Sequence, residues 1–148
     1  MWRFTTTGQF FHQFTLREEG EDEWGRTHGI DERFLSFENT IYQLTEVAEF
    51  VGRLVTTVDY APALSLEIEL HGMLNRQLVS GPDICLRGSP VSRVDPIRIN
   101  PSLEPLRLLA DARNVAIEFA TAVFQLFAVE TNDVVIRGVQ DKILAPAG

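Results

Sequence analysis

His12, flanked at every second position by Phe10 and Phe14, is the side chain most suited to chemistry in this 148-residue sequence. On an extended segment those three rings share one face with Leu16, so the imidazole sits among aromatics and its charged form is disfavoured by desolvation. A ligand contact is one reading. The commoner one is a half-buried histidine hydrogen-bonded to the neighbouring strand, because buried polar groups are nearly always paired. A second set, Glu67, Glu69 and His71, lies on one face of an alternating segment and has the composition of carboxylate or hard-metal chemistry. That spacing is also what any solvated strand face offers. The acidic run Glu18, Glu19, Glu21, Asp22 and Glu23 lacks the alternating ligands, central glycine and closing glutamate of a calcium loop. Trp24 beside it either folds over the core or awaits a partner.

Other reactive patterns are missing. Gly72, Gly81 and Gly88 form no phosphate-cradling motif, and Ser80 and Ser89 have no nucleophile-elbow context. Cys85, the single cysteine, has no CxxC partner and cannot close an internal disulfide. No catalytic residue, metal ligand or cofactor is therefore assigned, an enzyme is not expected, and His12 and Trp24 stand only as candidate ligand contacts. A hydrolase or transferase would require a cleft joining His12 or His71 to Glu67 or Glu69 within hydrogen-bonding reach.

The composition narrows the class further. Hydrophobic residues make up 45% and charged residues 23% of the chain, which is the balance of a soluble globular domain. The net charge of -8 repels phosphate backbones, so direct nucleic-acid binding is not expected. Twelve of the thirteen basic residues are arginines and the other is Lys142. The apolar run Val115–Val129 is shorter than the roughly 20 residues needed to span a bilayer and contains Glu118, so it belongs in a core or an interface. No secretory leader is read in the sequence, and a reducing, cytoplasmic setting is expected.

The elements that must position these residues follow from periodicity. Trp2, Phe4 and Thr6 alternate with polar residues, Thr7-Gly8-Gln9 has turn composition, and Phe10–Arg17 alternates again, which predicts a front hairpin. Glu18–Ile30 is a long acidic loop. Phe34, Ile41, Ala48 and Val55, with Phe37, Leu44 and Val51 between them, predict an amphipathic helix over Phe34–Val55 capped by Asp31 or Ser36. After the break at Tyr60-Ala61-Pro62, Leu64, Leu66, Ile68 and Leu70 alternate with polar residues as one half-wet strand, which favours antiparallel pairing. Shorter strands are expected at Arg76–Val79, Ile84–Arg87, Val94–Ile99 and Leu106–Leu109. A nearly all-apolar helix, Ala112–Val129, starts near Asp111. Phe119, Val123, Phe124, Leu126 and Phe127 cover more than one stripe of it, so it is either the central helix of the domain or shared across an interface. A short last helix carries Ile136, Val139 and Ile143, with Asn132 or Asp133 as cap and Gly138 as a weak spot.

The phrases GQFFHQFTLREE, SFENTIYQLTEVAEFVGRL and LEIELHGMLNRQL, between Gly8 and Leu78, resemble the region that follows a Schlafen-type AlbA-like domain in bacterial DNA-binding or ATP-binding regulators. The resemblance implies that a nucleic-acid- or nucleotide-binding domain lies upstream and that this chain is its companion. It implies no residue-level role. The abrupt start in mid-strand fits a fragment of a longer protein.

The expectation is a single α+β domain over residues 1–148. It would have a mainly antiparallel sheet of roughly four to six strands, packed on one face by two long helices, and a short C-terminal helix. Its expected role is a non-catalytic regulatory, sensory or dimerisation module of a transcriptional-regulator-like protein, working as a homo-oligomer or against an adjacent domain. The alternative is a small-ligand domain with a pocket between sheet and helices near His12, Phe14 and Trp24.

Overall fold

Ser36 begins the first long helix, and it does so by capping. Its hydroxyl accepts the Asn39 amide at 3.2 Å, and its carbonyl accepts the Thr40 hydroxyl at 2.7 Å. In a computed structural model describing residues 2–4, 9–16, 33–57 and 64–144, that helix, α1, runs Phe37–Thr57. Asp31, the other expected cap, lies outside the described residues. The helix thus starts three residues later than the heptad pattern predicts, because Phe34–Ser36 is a strand, β3. It pairs in parallel with β6 (Gln77–Val79), Leu35 opposite Leu78. Phe34 and Leu35 are both buried, as adjacent residues of a strand covered on two faces should be.

The chain forms two compact units, residues 1–33 and 34–148. In the first, β1 (Trp2–Phe4) and β2 (Phe10–His12) are antiparallel with Trp2 opposite His12 and Phe4 opposite Phe10, the expected front hairpin. Its turn at Thr7-Gly8 and the acidic loop with Trp24 lie outside the described residues.

The second unit is an α+β assembly built on helices. Along α1 the buried positions Phe37, Ile41, Leu44, Ala48, Val51 and Gly52 make one stripe. Helix α2 spans Pro105–Gln125 and packs on α1, while α3 (Asp133–Leu144) packs on both. Phe37 and Phe124 stack with centroids 4.3 Å apart and planes 15° apart. Val115, Ala116, Phe119, Ala120, Val123, Phe124 and Phe127 are nearly inaccessible, and burial of each larger side chain is worth about 1.5–3 kcal/mol. The greasy helix is therefore the central one of this unit, covered from within the chain, and of its five outer apolar positions only Leu126 is exposed.

Two devices shape α2. Pro105 sits in its first turn, so Leu106–Leu109 is helical where the sequence suggests a strand. Asp111 then leaves helical geometry (φ -159°, ψ 75°), and its carboxylate accepts the Asn114 amide at 3.0 Å, capping a second segment. Arg107, ahead of this kink, reaches Glu118 beyond it, Nη1 to Oε2 at 3.2 Å. Eleven residues of straight helix would rise about 16 Å, so the pairing requires the first segment to fold back.

At its other end α2 stops at Gln125, four residues short of the expected Val129. Ala128 adopts the left-handed conformation (φ 56°) while the amides of Ala128 and Val129 return to the carbonyls of Gln125 and Phe124. Asn132 caps α3, its side-chain oxygen accepting the Val134 amide at 2.8 Å.

In place of one sheet, the described residues form four two-stranded ladders, three antiparallel and one parallel. Leu64–Leu70 alternates in burial as predicted, but it is divided into β4 (Leu64–Ser65), paired with β8 (Ser102–Leu103), and β5 (Ile68–Leu70), paired with β7 (Ile97–Ile99). Leu64 faces Leu103 and Ile68 faces Ile99, which is one register throughout. That register sets Leu66 opposite Pro101, which has no amide hydrogen to donate, and the ladder breaks there. Ile84–Arg87 is a turn region, closed by the Ser80 hydroxyl on the Ile84 carbonyl at 2.6 Å. Among the described residues, no helix is long and apolar enough to cross a membrane.

Candidate functional site

Gly52 of α1 is buried against α2, where a side-chain methyl would also fit. A Cβ there would lie 3.5 Å from the Leu108 carbonyl oxygen and 3.9 Å from the Ala112 Cβ. Beside the kink lies an open groove of about 380 Å³, lined by Glu49, Gly52 and Arg53 of α1 and by Leu109, Asp111 and Arg113 of α2. Its charges balance locally, two acidic against two basic. Asp111 is engaged with Asn114, and Arg113 reaches Asp141 at 3.3 Å. Glu49 and Arg53, one turn apart, make no side-chain hydrogen bond or ion pair among the described residues. On the short segment beside the groove, Leu106 is 78% and Leu109 46% exposed. Residues three apart lie on one side of a helix, so the two leucines form a single apolar patch.

The structure brings His71 within hydrogen-bonding reach of Glu69, part of what a hydrolase or transferase would require, on side chains that are 69% and 30% exposed. Cross-strand register places Glu69 opposite Arg98. One Glu69 oxygen receives Arg98 Nε at 2.8 Å and the other receives His71 Nε2 at 2.9 Å. Glu69 and Arg98 form an ion pair across neighbouring strands, with His71 in contact beside it, and the sequence alone does not bring Arg98 to Glu69. Among the described residues no group of three or more His, Cys, Asp or Glu side chains is placed to hold a metal ion.

His12 lies in the first unit, half-buried, with its ring 5.2 Å from that of Phe14 and tilted by 37°. Partial burial, with the positive amino terminus adding to it, lowers its pKa below the ordinary 6.5. Trp24 lies outside the described residues.

The buried polar groups are ones the sequence does not announce. Arg76 is 2% exposed and donates from Nε to the Gly72 carbonyl at 3.0 Å and from Nη1 to the Phe34 carbonyl at 3.3 Å. It joins the 72–76 turn to β3. Gln140, fully buried on α3, donates to the Thr45 hydroxyl at 3.0 Å and to the Arg113 carbonyl at 3.2 Å, linking all three helices. At the opposite end of α1, Glu38 Oε1 accepts the Gly81 amide at 2.7 Å, and Lys142 pairs with Asp83 at 3.0 Å. The hydrogen bond from Asp83 raises the Lys142 pKa. These contacts fix loops to helices. No family model, curated protein or solved structure matches this chain.

Proposed function

We propose that this chain is a non-catalytic regulatory or dimerisation module, the companion of a nucleic-acid- or nucleotide-binding domain in a cytoplasmic, transcriptional-regulator-like protein. The observation that carries the reading is the apolar patch of Leu106 and Leu109 standing in solvent on the first segment of α2. Apolar side chains that a chain leaves uncovered beside a groove are the usual raw material of association. The regulatory context rests on the resemblance of the phrases between Gly8 and Leu78 to the region after Schlafen-type AlbA-like domains. A paired module would raise the effective concentration of whatever domain it carries, and so its avidity for a repeated target. Sedimentation velocity at low micromolar concentration is the test. A self-associated species is expected, and a strict monomer would remove the reading.

A small-ligand domain is the second reading; its expected pocket near His12, Phe14 and Trp24 lies partly outside the described residues, and the open α1–α2 groove is a different place that a ligand could occupy. A thermal-shift screen against nucleotides and metabolites separates the two, since a specific ligand raises the melting temperature by mass action.

A further inference from the structure

We propose that the α1–α2 groove is the contact between two copies of this chain, joined about a two-fold axis so that the Leu106–Leu109 patch of each copy covers the groove of the other. The inference rests on the association reading above and assigns it a surface and a partner. Charge is what selects the occupant. Two chains of net charge -8 repel wherever their acidic surfaces face each other, which favours contact between like copies where the local charge is balanced. The groove meets that condition, with Glu49 and Asp111 against Arg53 and Arg113. A two-fold contact is self-complementary, meaning that residue i meets residue j while j meets i. Glu49 and Arg53, adjacent on α1 and without side-chain partners among the described residues, are arranged for that reciprocity: each Glu49 can face the other copy's Arg53. An acidic partner would meet Glu49 and Asp111, and a basic one Arg53 and Arg113. Asp111 and Arg113 already have contacts within the chain, so the pair left for a partner is Glu49 and Arg53, and a copy of the same chain supplies the opposite charge to each.

The test is charge exchange in the full chain. Glu49→Arg and Arg53→Glu, prepared separately, should each weaken self-association about tenfold by placing like charges together. Mixed one to one, they should form a heterodimer at near wild-type affinity, since both contacts are then of opposite sign. Leu106→Ser with Leu109→Ser should abolish the dimer while far-UV circular dichroism and the thermal midpoint stay close to wild type, both sites being solvent-exposed in the monomer. A wild-type chain that is strictly monomeric would sink the association reading and this surface with it. A wild-type dimer unaffected by all of these variants, or charge variants that fail to recover on mixing, would leave association standing and place the contact elsewhere.

Discussion

Arg76 is the least accessible charge described in the molecule, and its environment explains why it is held there. The guanidinium presents donors in fixed directions, and two of them meet the carbonyls of Gly72 and Phe34. Removing it relieves the desolvation of a buried charge but strands those acceptors, and hydrogen bonds from charged donors are worth about 1.5–3 kcal/mol each. Arg76→Met should therefore lower the unfolding free energy by about 3 kcal/mol in a urea titration. Arg76→Lys should recover little, because one ammonium cannot serve two separated carbonyls. A loss under about 1 kcal/mol for Arg76→Met would show that the contacts are incidental. His12 allows a pH prediction whose sign is fixed. Its folded pKa lies below the unfolded value of 6.5, so in the window between the two the unfolded chain binds more protons, and stability rises with pH up to about 6.5. In a nuclear magnetic resonance titration the His12 ring should show its midpoint below 6.5, and His12→Gln should remove that part of the pH dependence. A midpoint at or above 6.5 would mean that the ring is not desolvated.

Element boundaries show where periodicity stops being informative. The α1 face, the front hairpin and the start of the apolar helix near Asp111 were all legible, because each rests on local spacing or a capping side chain. The divided strand Leu64–Leu70 was not, since the proline that interrupts it, Pro101, lies on the opposite strand and is brought there only by register. Leu106–Leu109 reads as a strand by composition, yet Pro105 in the first turn and the buried Leu108 make it helix. Arg76 and Gln140 carry no sequence signal at all, because their burial depends on what packs over them. The Gln125 end of α2 was missed for a related reason. The residue in the left-handed position is Ala128, where glycine is the usual choice. An L-residue costs about 1–2 kcal/mol there, partly offset by glycine's greater unfolded entropy. Ala128→Gly should thus raise stability by about 0.5–1 kcal/mol, measured as a shift in denaturant midpoint at unchanged slope. Destabilisation would mean that the Ala128 methyl makes a contact worth more than the strain.

Across the whole molecule, charge and apolar surface oppose each other, and salt tells which of them governs association. The net charge of -8 acts between copies over distances longer than the Debye length, which is about 30 Å at 0.01 M and about 8 Å at 0.15 M ionic strength. Raising salt over that interval therefore removes most of the long-range repulsion. Charge pairs in contact, such as Glu49 with the Arg53 of a second copy, lie well inside the Debye length and are screened far less, and the Leu106–Leu109 contribution does not depend on charge. The dissociation constant of the wild-type dimer should accordingly fall several-fold between about 0.01 and 0.15 M sodium chloride. Glu49→Arg should respond more strongly than wild type, because its defect is itself a like-charge contact that salt attenuates. Concentration-dependent sedimentation across a salt series measures both trends. A dimer that weakens steadily with salt would place the dominant attraction in exposed ion pairs instead of the leucine patch, and would shift the weight of the contact from Leu106 and Leu109 to the charged rim.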